Sequence, residues 1–365
     1  MKINILLPYK EKFDMNKASS VSITVRNNLF YSNYINQIKI FGQTVENPFF
    51  KDNFIGLKYS ILSFKSKNKY LAHEMLKIIS KDSYKKQLIE IHNRPYLIKL
   101  IAKENKFPIS LFFHNDPQTM NGSKSIKDRK SILEKCAIIF CVSEFIKKKF
   151  LEGINENYHK VHVLYNGVQR KLEKFPKKKK EILFVGRLVP EKGAHLFVDA
   201  VEALAHKYPE WSFHLIGSVK LGDNKNRNFY TKEIIKKVNA IGPQAQFHGF
   251  KSQEFVESKM KSASIVVIPS IWKEPFGLVA AEAMSNGSCI IASKVGGIPE
   301  IIKDNGILIE NINFKKLLSK MNDLITDDKI RKNYQLKAWK NFQHSSKNSS
   351  QKLDHFRQII NSNYF

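Results

Sequence analysis

The sequence has few cysteines, no long apolar run and few acidic residues. Three cysteines (Cys136, Cys141 and Cys289) are too few for a disulfide framework or a metal cluster, which favours a reducing, cytoplasmic environment. The longest apolar stretch, around ASIVVIPSIW, is about ten residues, half of what a membrane-spanning helix needs. The opening segment MKINILLPYKEKF has a short apolar core followed at once by charges, so it predicts a buried first strand and not a secretory signal.

The shortage of acidic residues leaves a strongly basic chain. Sixty-one Lys and Arg residues against 33 Asp and Glu residues give a formal net charge of +28. Only eight of the basic residues are arginines, whereas proteins that read nucleic acids depend on arginine for bidentate contacts, so nucleic-acid binding is disfavoured. Two interpretations stay open: a compositional bias toward lysine, and a cationic surface that favours peripheral contact with the anionic inner face of a cell membrane.

Short apolar runs alternate with helical patterns along the whole chain, and 365 residues exceed what a single core usually holds. The pattern restarts after QRKLEKFPKKKK, which we interpret as a solvated linker. The prediction is an α/β fold with two Rossmann-like, doubly wound domains facing a central cleft, and ligands at the carboxyl ends of the strands. The predicted boundaries are 1–168 for the N-terminal domain, 169–180 for the linker, 181–348 for the C-terminal domain and 349–365 for a last helix.

Most strands and helices have an identifiable pattern. The strand candidates are residues 3–7, 38–41, 88–92, 109–113, 137–142, 161–164, 181–186, 211–217, 246–250, 264–270 and 289–293. The helix candidates are residues 70–79, 126–135, 193–207, 229–240, 252–262 and 277–286, with the last fifty residues helical throughout.

The first motif with a chemical interpretation is FVGRLVPEKG, residues 184–193. A buried strand ends at Val185, Gly186 permits a sharp turn, and a helix follows Gly193. Arg187 and Lys192 would then both lie at the carboxyl edge of a parallel strand. Two cations held there could neutralise a diphosphate without a metal ion, although solvated loop cations are an equal alternative.

The second motif is PSIWKEPFGLVAAEAMSNG, residues 269–287. The predicted helix would have its open first amides at Phe276, Gly277 and Leu278, and such a helix start is a ready anion site. Glu274 precedes that helix, and Glu282 lies slightly over two turns further on, so the two carboxylates could face one side. We expect Glu282 to be buried in the apolar run LVAAEAM, which favours a ligand role because an unpaired buried carboxylate is costly.

The pairing of GRLVPEKG with EPFGLVAAEAMSNG, followed by SKVGGIPEII, resembles the retaining glycosyltransferases of family four, which have the two-domain GT-B fold. The resemblance covers most of residues 181–310 and extends more loosely through FFHNDP, VSEFIKKKF and LYNGV. In FFHNDP and IEIHNRP the resemblance is to bacterial transferases that build surface glycans such as lipopolysaccharide or capsule. Gly296 and Gly297, within SKVGGIPEII, are interpreted mainly as a turn before a helix.

The resemblance implies a role for each motif residue. Arg187 and Lys192, following the turn at Gly186, would hold the diphosphate of a nucleotide-sugar donor, UDP-linked by preference. Glu282 would bind the ribose and Glu274 the donor sugar. The amides of Phe276, Gly277 and Leu278 would complete the binding site for the sugar and the phosphates. The resemblance also implies that the C-terminal helix crosses back onto the N-terminal domain. The donor is a substrate, no cofactor is expected, and the absence of an Asp-x-Asp motif leaves no candidate metal site.

The N-terminal half supplies candidates for the acceptor side. His114 ends a predicted strand, and the resemblance places it beside the reacting sugar. Arg94, in IEIHNRPYL, could meet an acceptor or simply precede a helix. The loop DMNKASSVSITVRNN has Ser19 and Ser20 where many family members have glycines, so an acceptor role there departs from the family pattern.

The expected activity is transfer of a hexose or N-acetylhexosamine, with retention, from a nucleotide-sugar to a hydroxyl of a glycan or glycolipid. His114, Glu274, Arg187 and Lys192 are the expected catalytic residues. Two alternatives stay open: a nucleotide-sugar epimerase of the same architecture, and a non-catalytic polyanion-binding protein.

Overall fold

The computed structural model describes residues 1–60, 63–156, 158–219 and 228–365. The chain divides into two compact units. Unit 1 contains residues 1–167 together with the C-terminal segment 346–365, and unit 2 contains residues 168–345.

Strands and helices alternate through both units. The strands are β1 (Lys2–Leu6), β2 (Ile38–Gln43), β3 (Phe54–Leu57), β4 (Gln87–His92), β5 (Ile109–Phe113), β6 (Ile138–Cys141), β7 (Val161–Val163), β8 (Lys179–Val185), β9 (Ser212–Ile216), β10 (Ala245–Gly249), β11 (Ala263–Ile268), β12 (Cys289–Ser293) and β13 (Ile307–Ile309). The α-helices are α1 (Ser20–Phe30), α2 (Lys67–Ser80), α3 (Ile98–Glu104), α4 (Ile126–Lys135), α5 (Glu144–Leu151), α6 (Ala194–Ala205), α7 (Phe229–Ile241), α8 (Gln253–Ser262), α9 (Leu278–Ser285), α10 (Ile298–Ile302), α11 (Phe314–Thr326), α12 (Asp328–Lys340) and α13 (Ser346–Tyr364).

Each unit contains one parallel sheet in which the strand order reverses. In unit 1 the order is β3-β2-β1-β4-β5-β6-β7, so the reversal lies between β1 and β4. In unit 2 the order is β10-β9-β8-β11-β12-β13, and the reversal lies between β8 and β11. The prediction of two doubly wound, Rossmann-like α/β folds is confirmed. Ligands of such sheets bind in the crevice outside the carboxyl ends of the two strands at the reversal.

The fully buried strands have continuous apolar sequences because helices cover both faces of a parallel sheet. Strand β11, for example, is buried at every position. The edge strands β3 and β13 were not predicted, since β3 is four residues with a glycine and β13 is three residues. The prediction of helix throughout the last fifty residues is wrong, because the chain breaks at Asp327 and again between Lys340 and Ser346.

Helix α13 is fixed to the sheet of unit 1 by buried charges. The Arg357 guanidinium donates to both carboxylate oxygens of Glu90 on β4, each at 2.8 Å. It also donates to Asp354 at 3.0 Å, and Asp354 accepts from Ser32 Oγ at 2.8 Å. All four residues are buried. A bidentate contact of this kind fixes both the position and the orientation of the helix.

Most lysines of the segment before β8 are exposed, but two of its cations contact the rest of unit 2. Strand β8 begins at Lys179, and Lys178 is half-buried with its Nζ donating to the carbonyls of Met260 at 3.1 Å and Asn286 at 2.8 Å. These carbonyls lie at the C-terminal ends of α8 and α9, which attract a cation. The Arg170 guanidinium lies 3.3 Å from the ring centre of Trp339. These two contacts attach the segment to the rest of unit 2.

Candidate functional site

The two sequence motifs of unit 2 lie side by side at the point where the strand order reverses. The first loop, residues 186–193, follows β8, and the second loop, residues 269–277, follows β11. Strands β8 and β11 are parallel neighbours, so both loops leave the same edge of the sheet. The topology thus places two loops separated by 75 residues of sequence (194–268) where doubly wound folds bind their ligands.

Glycine and backbone hydrogen bonds hold these loops in contact. Gly193 has φ of 69°, and a Cβ atom there would lie 2.0 Å from the carbonyl oxygen of Pro269. Glu191 O accepts hydrogen bonds from the amides of Ile271 at 2.8 Å and Trp272 at 3.3 Å. Only glycine fits both the left-handed backbone and the close approach. The loops therefore form one structure.

Two of the predicted site residues are brought into direct contact. Lys192 Nζ donates to Glu274 Oε1, and the same oxygen accepts from Ser270 Oγ at 2.7 Å. The two charged side chains are largely shielded, with 20% and 11% of their areas exposed. The Lys192 ammonium also lies 5.9 Å from the ring centre of Trp272. A positively charged group and a carboxylate are thus held together beyond the carboxyl ends of β8 and β11.

The backbone of Glu274 is held from the opposite side by the pair of glycines after β12. Gly297 N donates to Glu274 O at 2.7 Å. Gly296 has φ of 58°, and a Cβ there would lie 2.1 Å from the same carbonyl oxygen. The predicted turn before a helix is present, since α10 begins at Ile298. Contact with Glu274 was not foreseen, although two adjacent glycines are a signal for close backbone approach.

Helix α9 begins later than predicted. Gly277 is the N-cap with φ of 106°, so Leu278 is the first helical residue, and Phe276 precedes the cap with a buried side chain. The left-handed conformation of Gly277 is the physical reason, because it cannot continue into a right-handed helix. The Ala280 amide bonds to Gly277 O at 3.0 Å. The amides at this helix start are therefore those of the N-cap Gly277 and the first helical residue Leu278, whereas the Phe276 amide precedes the cap.

Glu282 and Arg187 are less enclosed than the sequence suggests. Glu282 is half-buried, whereas its neighbours Ala281 and Ala283 are buried, so the expectation of a buried carboxylate is wrong. Glu282 lies four residues after Leu278, so the two share one face of the helix, and Leu278 is half-buried as well. Gly186 donates its amide to Ile216 O at 3.1 Å, and Arg187, directly after it, is exposed. Of the two predicted diphosphate cations, Lys192 is held by neighbours and Arg187 faces solvent.

In unit 1, His114 is part of a buried histidine pair at the ends of β4 and β5. His92 Nδ1 and His114 Nε2 are 2.8 Å apart, and the rings stack with centres 5.1 Å apart. Burial lowers the pKa of His114 to about 4, and burial together with His114 lowers the pKa of His92 well below its usual range. Both imidazoles are therefore neutral at pH 7, so His114 can exchange hydrogen bonds but carries no positive charge.

The three predicted acceptor residues lie at the same sheet edge of unit 1. Arg94 follows β4, and its Nη1 donates to Asn93 O at 2.6 Å. Ser19 is the N-cap of α1, and Ser20 is its first helical residue with an exposed side chain. Strand β1, which leads to Ser19, and strand β4, which leads to Arg94, are the two strands at the order reversal.

Comparison with known proteins shows similarity to one class. Residues 167–340, slightly less than half of the chain, match the model of the family "Glycosyl transferases group 1". The chain has two Rossmann-like α/β units, and its fold is that of solved structures with the GT-B fold.

Particular relatives agree with this class. An uncharacterized glycosyltransferase of Methanocaldococcus jannaschii is 35% identical over 196 residues, which cover 53% of this chain and 51% of that protein. The lipopolysaccharide 1,2-N-acetylglucosaminetransferase of Salmonella typhimurium is 28% identical over 40% of this chain and 39% of its own length. The structure of Anabaena HepE in complex with UDP and glucose superposes with a TM-score of 0.72 at 19% identity, covering 98% of this chain and 99% of the other. The chain thus spans about half the length or less of these two curated relatives.

Proposed function

We propose that this protein transfers a hexose or N-acetylhexosamine from a UDP-sugar to a hydroxyl of a glycan or glycolipid, with retention of the anomeric configuration and without a metal ion. One observation carries the proposal: the Lys192–Glu274 contact, at the strand-order reversal of a group 1 glycosyl transferase domain and directly before the start of α9. A cation, a carboxylate and open helical amides together fit a diphosphate joined to a sugar.

The proposed chemistry follows from where charge develops. When the anomeric C–O bond breaks, negative charge grows on the diphosphate and positive charge grows on the sugar. Lys192, Arg187 and the first amides of α9 would oppose the negative charge, and such preorganised groups contribute the most where water is excluded. Glu274 would accept hydrogen bonds from donor-sugar hydroxyls, and Glu282 would accept them from the ribose. Neutral His114 would exchange a hydrogen bond with the transferred sugar.

The choice of UDP and of a surface glycan is supported by relatives. HepE has been solved with UDP and glucose, and the Salmonella relative is named for transfer of N-acetylglucosamine in lipopolysaccharide. We propose the same classes of donor and acceptor here, with assembly of lipopolysaccharide or capsule as the biological setting.

We further propose a cytoplasmic protein that contacts the anionic inner face of the cell membrane. The net charge of +28 supports electrostatic attraction to such a surface. None of the helices in the described residues combines the length and the apolar character needed to cross a bilayer. We expect co-sedimentation with phosphatidylglycerol vesicles that weakens as salt rises; equal sedimentation with neutral vesicles would contradict this electrostatic contact.

The donor site is tested by substituting its two cations. We expect Lys192→Ala and Arg187→Ala to lower kcat by about 10²-fold or more, because each removes a group that stabilises the leaving diphosphate. Calorimetry with UDP should show weaker binding in both variants. The control is Lys320→Ala, which removes an exposed lysine of α11 whose partner is Asp323. Unchanged turnover in both folded variants would refute the diphosphate assignment.

The same purified proteins distinguish the proposed transferase from two alternatives, an epimerase and a polyanion-binding protein. An epimerase would convert a UDP-sugar without any acceptor, so product analysis with donor alone identifies it. A polyanion-binding protein would release no UDP from any donor, and its affinity for polyanions would fall steeply with salt.

A further inference from the structure

The buried histidine pair of unit 1 has one ring nitrogen without a hydrogen-bond partner. Among the residues that the structure describes, none forms a hydrogen bond with the buried His92 Nε2. The other nitrogen of the same ring, Nδ1, lies 2.8 Å from His114 Nε2. The cavity that both rings line has a volume of about 10 Å³, which is the lower limit for one water molecule. The position of the proton on His92 is therefore determined mainly by its contact with His114.

Packing against the neighbouring strand holds the His92 ring in place. His92 is the last residue of β4, and its register partner on β5 is Phe112. The two rings are nearly parallel, with ring centres 4.3 Å apart and an angle of 12° between their planes. Both residues are buried. This packing keeps Nδ1 of His92 directed at His114.

Asn93 joins the backbones at the two histidines. It directly follows His92, has φ of 53°, and donates its amide to Phe112 O at 2.9 Å. Its side-chain Oδ1 accepts from the His114 amide at 2.9 Å. A positive φ is uncommon for a residue other than glycine and persists where neighbouring structure enforces it. The two rings are therefore held relative to each other by backbone contacts as well as by their own hydrogen bond.

Two proton arrangements are compatible with the short contact between the neutral rings. A neutral imidazole has one N–H donor and one acceptor nitrogen. Either His92 Nδ1 donates to His114 Nε2, or His114 Nε2 donates to His92 Nδ1. In the second arrangement His92 would carry its proton on the buried Nε2, which has no partner. Orphaned buried N–H groups are rarer than buried acceptors without a full set of partners, so the first arrangement is favoured.

We propose that His92 is a positioning residue that fixes the tautomer of His114. His92 Nδ1 donates to His114 Nε2, so His114 carries its own proton on Nδ1. The hydrogen bond at one ring nitrogen of a histidine sets the role of the other nitrogen. His114 then offers an N–H donor at Nδ1 to an oxygen of the transferred sugar. This catalytic consequence rests on the proposed glycosyl transfer, whereas the tautomer itself does not.

The two rings differ in how close they lie to the surface, which gives them different roles. His114 is 9% exposed and His92 is 3% exposed, so His114 is the ring nearer to a substrate. A fixed N–H at His114 Nδ1 binds the lone pairs of a sugar oxygen and leaves the proton of that hydroxyl for another acceptor. In the other tautomer, Nδ1 would be a bare acceptor and the hydroxyl would have to turn. Loss of one such hydrogen bond is expected to lower kcat/KM about five- to tenfold.

The test reads the tautomer directly, by ¹⁵N NMR of the full-length protein with labelled histidines at about pH 8. Shifts and two-bond couplings distinguish a protonated ring nitrogen from a bare one, and His92→Phe and His114→Gln assign the signals. We expect both histidines to carry their protons on Nδ1. His92→Phe keeps a ring that packs on Phe112 but removes the donor, so His114 should lose its exclusive Nδ1–H state and kcat/KM for a UDP-sugar should fall about five- to tenfold. His92→Gln keeps an N–H donor and should retain that state, with kcat/KM within about twofold.

A matched control and two further readouts distinguish the possible failures. His159→Phe replaces an exposed histidine of unit 1 and should change neither the His114 signal nor kcat/KM. UDP affinity, measured by calorimetry, should stay within about twofold in both His92 variants, and a circular dichroism melt shows whether each is folded. A proton on His114 Nε2 in the unmodified protein, an unchanged tautomer in folded His92→Phe, or a changed tautomer with unchanged kcat/KM would each overturn the inference. If His114 carries its proton on Nδ1 but the protein turns over no UDP-sugar, the proposed function fails and the tautomer assignment stands.

Discussion

Replacing Glu274 with glutamine should separate binding of the nucleotide from binding of the sugar. In the structure Glu274 pairs with Lys192, so its negative charge partly cancels the cation that we assign to the diphosphate. Glutamine keeps the shape of the side chain and an oxygen for Ser270, but removes the charge. We therefore expect UDP, which has no sugar, to bind more tightly, and turnover of a UDP-sugar to fall.

The size of the first effect can be estimated from the contact. A diphosphate charge about 7 Å from the carboxylate is repelled by about 2 kcal/mol at an effective dielectric constant of about 20. Because the two side chains keep 20% and 11% exposure, solvent screening reduces this to about 1 kcal/mol. That corresponds to about fivefold tighter UDP binding. Loss of a charged hydrogen-bond acceptor for the sugar, about 1.5–3 kcal/mol, lowers kcat/KM by about 10- to 100-fold.

Calorimetry with UDP at one fixed ionic strength measures the first effect, and a UDP-release assay measures the second. Lys192→Ala is the matched comparison, since it removes the other half of the pair and should weaken UDP. A clear loss of UDP affinity in folded Glu274→Gln protein would refute the reasoning. In that case Glu274 would serve to hold Lys192 in place, and its charge would not oppose the nucleotide.

Two further predictions concern unit 1. Arg357→Met should cost about 3–5 kcal/mol of stability because it leaves Glu90 buried and unpaired, whereas the double variant with Glu90→Met should recover most of that loss in a urea titration followed by circular dichroism. A double variant as unstable as the single one would contradict this. The pKa of His114 is lower in the folded protein (about 4) than the unperturbed value of 6.5, so stability is complete above pH 6.5 and falls as the pH drops toward 4, by about 3 kcal/mol for this residue. Melting temperatures at pH 7 and pH 4.5 should differ less in His114→Gln; an equal difference would refute the assignment.

The sequence predicted those strands and helices whose pattern of apolar residues is long enough to be recognised. The strand at 109–113 was predicted with its observed bounds, because five consecutive apolar or small residues in a parallel sheet are buried on both faces. The edge strands Phe54–Leu57 and Ile307–Ile309 are too short to show a period. Lys178 was assigned to a solvated run, since sequence alone does not indicate that two helices end beside it.

For the candidate site, local sequence patterns predicted individual residues, whereas the contacts between residues distant in sequence could not be predicted. The motifs predicted Lys192 and Glu274 individually, because each stands in a loop between a buried strand and a helix. Their contact depends on β8 and β11 being neighbours, a pairing that strand patterns do not specify. Glu11 shows the stronger form of this limit. A glutamate between two lysines has the sequence of a solvated loop, yet in the folded chain its Oε2 is buried and burial raises its pKa to about 7. The surroundings of a loop side chain are therefore poorly visible in sequence motifs, since they are created by packing.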